Sequence, residues 1–275
     1  MTTVAPHQRA IDNRTWHVVA MRRRTTATLA LVTTIGVLAF GWPLLVDTDA
    51  SLAHRPDAPW LFVLLLPLVL AVVLAEIADG GMDAKAVALL GVLASVGAAL
   101  RPLGGGAAGF ETVFFLLVLS GRVLGRGFGF VLGSVTLFAS ALLTAGVGPW
   151  LPFQMLAAGW VGFFAGCLPP SRGRLEVAWL AVYSFVVGLA FGLVMNLWFW
   201  PFASYGPETS FVVGDPFAEN LSRYLLFYVT TSLPWDLGRA VLSFLVVALA
   251  GTALLRALRR ASRRAAFDAV AEFDA

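Results

Sequence analysis

The chain has 275 residues, of which 59% are hydrophobic and 13% charged, with a net charge of +3 and a mean hydropathy of +0.83. Those values lie far outside the range of soluble globular domains. The fold class they leave is all-α, a polytopic transmembrane helical bundle. The single cysteine, Cys167, cannot close an internal disulfide, and the three histidines, His7, His17 and His54, fall in the N-terminal tail and an early loop. No metal site, cofactor or histidine-dependent catalysis is expected from such a distribution, and no nucleic-acid partner.

Residues 1–26 form a polar tail that ends in Arg22, Arg23 and Arg24. The apolar run that follows, 27–46, has about 20 residues, which matches the hydrocarbon thickness and exceeds a signal-peptide core. It is read as a retained helix. A polar loop, 47–59, precedes a second span over 60–78 with Trp60 at its interface. The turn at 79–83 then leads into a third span over 84–100. Further spans are placed at 110–120, 128–145, 153–168, 177–200 and 237–255, about eight in all. In the glycine-rich run 101–166, Gly121, Gly125, Gly127, Gly129 and Gly133 are expected to let helix backbones approach closely.

The positive-inside rule gives the orientation. With the N-terminus inside, the cytoplasmic side collects Arg9, Arg14, Arg22 to Arg24, Lys85, Arg122, Arg126, Arg172, Arg174, Arg256, Arg259, Arg260, Arg263 and Arg264, against Arg55, Arg101 and Arg223 outside. Both termini are therefore expected in the cytoplasm of a prokaryotic cell, with the chain in its plasma membrane.

This topology brings Arg101, the glycine loop centred on Gly105, Glu111, Trp150, Gln154, Asn196, Trp198, Asp236 and Arg239 to or near the outer face. Convergent polar groups among apolar and aromatic walls are the make-up of a small-molecule site, so these nine are the candidate substrate-binding residues. Each has a plainer explanation. Trp150, Trp198 and Trp200 lie where an interfacial aromatic belt is expected. Glu111 opens a predicted helix, where the macrodipole favours a carboxylate, and Gln154 can hydrogen-bond a neighbouring helix. Pro234 is expected to end the helix before it, which starts the last span near Asp236 and sets Arg239 one turn deeper on the same face. Charges inside a span are paired or functional, and this pair can be both.

At the opposite end, Ala84, Ala88, Gly91, Ala94 and Ala98 give the third span rows of small residues on which another helix can dock closely, or which serve internal packing. The arginine-rich C-terminal tail, 256–275, suits stop-transfer and anionic lipid. A phosphate-binding loop needs Gly-Lys-Ser/Thr, but Lys85 is the only lysine and follows Ala84. Gly-x-Ser-x-Gly and His-Glu-x-x-His are also missing, so an enzyme is not expected.

Several motifs carry a family resemblance: ALLGVLA at 88–94 followed by Leu100 and Arg101, SGRVLGRGFGF at 120–130, GVGPWLPFQM at 146–155, and DLGRA at 236–240. Together they resemble the substrate-binding S component of energy-coupling factor vitamin transporters. The resemblance covers a six-helix core over 84–255 and leaves residues 27–83 as two extra N-terminal helices. It implies capture of a vitamin-like ligand from outside by the outer half of the core, including the loop after the core's first helix. It implies docking of the Ala-x-x-x-Ala surface on a transmembrane coupling subunit, and energy from two ATPase subunits. The glycine loop and the GPWLP run resemble sequences assigned to cobalamin or a related corrinoid. The competing expectations are a non-transport membrane subunit of cell-envelope assembly and a stand-alone secondary carrier.

Overall fold

A computed structural model describes residues 23–45, 66, 69–71, 73, 82, 84–104, 111–203 and 205–265. Among these residues there are eight α-helices and no strand: α1 Arg23–Gly41, α2 Ala84–Leu103, α3 Phe114–Leu124, α4 Arg126–Leu143, α5 Leu151–Cys167, α6 Gly173–Phe199, α7 Phe217–Phe227 and α8 Leu233–Ala265. Five helical stretches are long and apolar enough to cross a membrane, while α3 and α5 are shorter apolar helices. The helical membrane bundle expected from composition is what the chain forms. The second predicted span lies largely outside the described residues.

The bundle is organised on α5, whose Leu151, Phe153, Met155 and Ala158 are fully buried. Trp150 and Pro152 start it, proline being tolerated in a first turn where its missing N–H has no helical acceptor. Helices α3 and α4 reach α5 through glycine. A Cβ on Gly121 would lie 2.0 Å from the carbonyl oxygen of Gly162, and one on Gly129 would lie 2.4 Å from the same atom. No other residue permits that backbone contact, and close approach is how helices associate in lipid. Gly125 makes the one-residue corner between α3 and α4 at φ 98°, a backbone region open to glycine.

Helix α1 is not peripheral. Trp160 donates from Nε1 to the Thr33 hydroxyl at 3.2 Å, Phe40 sets its ring edge against Phe153 at 4.8 Å, and Trp42 donates from Nε1 to the carbonyl of Trp198 at 3.0 Å. The last helix also departs from expectation. Residues 217–227, which lie between the predicted spans 177–200 and 237–255, form α7, and Pro234 does not stop the helical stretch that follows it. A π turn, Tyr228–Ser232, joins α7 to α8, and the helix passes through the proline without a stop. Such a turn loosens the i to i−4 ladder at the point where proline has no N–H to give and crowds the preceding carbonyl.

At one end of the bundle lie Arg101, Glu111, Trp150, Trp198 and Asp236. At the other, a buried carboxylate sits between two guanidinium groups. Glu176 accepts from Arg122 Nε at 2.9 Å and from Arg259 Nη2 at 2.7 and 2.8 Å, and Arg122 also donates to the carbonyl of Leu168 at 2.8 Å. This clasp ties α3, α6, α8 and the α5–α6 turn together.

Candidate functional site

Four of the nine candidate residues meet in one charged cluster. Arg239, on the first turns of α8, donates from Nε to Glu111 Oε2 at 2.5 Å and from Nη1 to Asp236 Oδ1 at 2.5 Å, with a further bond from Nη1 to the Gly188 carbonyl on α6 at 3.2 Å. Its guanidinium carbon lies 5.5 Å from the Phe114 ring centroid and 5.2 Å from that of Phe191. Two carboxylates and two aromatic faces thus compensate one desolvated cation. Arg101, at the end of α2, completes the group with Nε 4.0 Å from Glu111 Oε1.

Local chain geometry sets these positions. Asp236 and Arg239 are three apart on one helix, which faces both inward. Asp236 fits because α6 carries glycine opposite it: a Cβ on Gly192 would fall 1.8 Å from Asp236 Oδ2. Glu111 stands two residues before Val113, the N-cap of α3, and not in its first turn, so the helix dipole acts on it less than expected. The Thr112 hydroxyl donates to the Leu100 carbonyl at 2.7 Å and pins that segment to the end of α2. Tyr228, in the π turn, donates to the Leu189 carbonyl at 3.3 Å and fixes the start of α8 against α6.

Trp198 and Trp150 have other packing partners. Trp198 is 2% exposed and stacks on Phe153 at 4.5 Å with an interplanar angle of 5°. It is a core residue, because Trp42 and Phe202 close over it. Trp200 is fully buried and donates to the Thr209 carbonyl at 2.6 Å, so neither tryptophan stands in a lipid-facing belt. Trp150 is exposed and closes its own turn, donating to the Gly146 carbonyl at 3.0 Å. Gln154 and Asn196 are half-buried, and Gly105 lies outside the described residues. Sequence reasoning missed Phe114, Phe191 and Gly192, whose signal was weak in helices rich in Phe and Gly.

The small residues of α2 divide in two. Ala84, Ala88 and Gly91 are exposed, whereas Ala94 and Ala98 are buried in the chain's own core. The latter two therefore serve internal packing and leave the outward row to the first three with Ser95. A cavity of about 150 Å³ opens between α5 and α6, walled by Trp160, Phe164, Tyr183 and Phe191. The Tyr183 hydroxyl is already bonded to the Val161 carbonyl at 2.8 Å, so this cavity offers apolar contact and not polar recognition.

The family model for the ECF transporter substrate-specific component matches residues 85–251, more than half of the chain. The chain belongs to this family. It is accordingly a substrate-binding subunit of a membrane transporter and not an enzyme, and the family implies a transmembrane coupling component and ATPases as partners. The match begins at α2 and ends within α8, outside α1. Searches among curated proteins and among solved structures returned no match.

Proposed function

We propose that the chain captures a vitamin or related micronutrient from the outer face of a prokaryotic plasma membrane for an ATP-driven importer, with both termini in the cytoplasm. Cobalamin or a related corrinoid is the first candidate, on the resemblance of the 104–106 and 148–152 runs. The observation that carries this reading is the Arg101–Glu111–Asp236–Arg239 cluster. It is assembled from three separate stretches of chain at the end where the basic-residue bias places the exterior. Ionisable groups at membrane depth are costly and mark substrate pathways.

The exposed row Ala84, Ala88 and Gly91 is the proposed docking face for the coupling subunit, and two ATPase subunits supply the energy. Residues 84–255 act as the capture core and 27–83 as an addition to it. Equilibrium binding of a vitamin panel to the purified protein tests capture, and no binding to any member would count against it. Ala88→Leu places bulk on the exposed row, so we expect affinity within twofold of the parent and loss of uptake in vesicles with the full transporter. Retained uptake would move the docking face elsewhere.

A further inference from the structure

Three arginines serve the Arg101 end of the bundle among the described residues, and two of them are committed. Arg239 gives its donors to Glu111, Asp236 and the Gly188 carbonyl. Arg223 donates to the Pro207 carbonyl at 2.6 Å and pairs with Asp215 at 3.4 Å. Arg101 differs. The nearest carboxylate oxygen to its Nε is 4.0 Å away, outside hydrogen-bond reach, and among the described residues its guanidinium makes no hydrogen bond. Its side chain is only one-fifth exposed.

A guanidinium carries five N–H donors in a planar fork, and burying it without acceptors is unfavourable. The position of Arg101 near a helix C-terminus favours its charge but engages none of those donors. Glu111 does not meet the need either, because Arg239 holds it at 2.5 Å and answers its charge there. The spacing is built in, since the Thr112–Leu100 hydrogen bond holds the Glu111 segment against the end of α2. A guanidinium fork with no hydrogen-bond partner among the described residues, beside a carboxylate that Arg239 holds, suits a planar or tetrahedral oxyanion bound through two parallel hydrogen bonds.

We infer that the captured ligand carries an anionic oxygen group, a carboxylate or a phosphate ester, and that Arg101 receives it and determines specificity. This inference rests on the capture reading above. Arg239 is the positioning residue, holding Glu111 away from the Arg101 fork.

The test is equilibrium binding to the full-length purified protein of matched probes that differ in charge: nicotinate and nicotinamide, biotin and biotinamide, pantothenate and pantothenol, thiamine monophosphate and thiamine. Riboflavin and cobalamin complete the panel. At least one anionic member is expected to bind tenfold or more tightly than its uncharged or dephosphorylated partner. Arg101→Gln is expected to remove that discrimination, and Arg101→Lys to restore part of it, with thermal unfolding midpoints close to the parent. Equal binding of both members of every pair that binds, binding confined to riboflavin, or cobalamin binding that Arg101→Gln leaves unchanged would overturn the inference and leave capture standing. So would discrimination that survives Arg101→Gln. No binding to any probe would overturn capture itself, and the inference with it.

Discussion

The two ends of the bundle each bury charge, and they do so differently. At the Glu176 end one carboxylate is shared by two arginines, both its oxygens are engaged, and Arg122 also reaches the Leu168 carbonyl. At the Arg101 end Arg239 binds Glu111 and Asp236, but among the described residues the Arg101 guanidinium makes no hydrogen bond. A closed set of hydrogen bonds fixes helices against one another. The other end we assign to a ligand.

Variants can break this contrast. Glu176→Gln should have the largest effect on stability, because it leaves two guanidinium groups around a neutral amide. Breaking a buried pair costs about 3–5 kcal/mol, and the expected readout is a marked fall in the unfolding midpoint in detergent with ligand affinity retained by the protein that remains folded. An unchanged midpoint would remove the clasp from the structural account. Arg239→Ala should come next, at about 3 kcal/mol by the same reasoning, since it leaves Glu111 and Asp236 unanswered. Unlike Glu176→Gln, it should also abolish binding in a calorimetric titration.

Arg259→Ala should cost about 1 kcal/mol or less, because that arginine is half exposed and Glu176 keeps Arg122. Arg101→Gln should be the mildest of the four for stability, about 1 kcal/mol or less, because among the described residues its guanidinium makes no hydrogen bond and it stands 4.0 Å from Glu111. If it lowered the midpoint as much as Arg239→Ala, Arg101 would belong to the structural set and the contrast would fail.

Much of this was legible in the amino-acid order. Composition gave the membrane bundle, and the three-residue spacing of Asp236 and Arg239 gave their ion pair. The third member was not legible, since Glu111 and Arg239 stand 128 positions apart and nothing local to either implies the other. The predicted span 177–200 stops one residue short of Glu176, beside Arg172 and Arg174, which are expected on the cytoplasmic side. Helix α6 in fact starts at Gly173 and carries Glu176 inward. The usable signal was an isolated acid within one turn of a long apolar run.

Trp198 misled for a different reason. A tryptophan near the end of a span usually meets the interface, and its burial here depends on Phe202 and on Trp42, which follows α1 and stands 156 positions away. Similarly, Ala94 and Ala98 share spacing with Ala84 and Ala88, and periodicity could not say which part of α2 would turn inward. The passage through Pro234 depends on a π turn that no residue pattern announces.

The stretch from Phe217 to Arg263 is helical for 47 residues, about 70 Å, more than twice the thickness of a bilayer's hydrocarbon layer. A mast of that height magnifies small rotations: each 10° of lean against the membrane normal carries its tip sideways by about 12 Å. Fluorophores at its two extremities would therefore act as an inclinometer for the whole subunit, sensitive enough to register reorientation during a transport cycle.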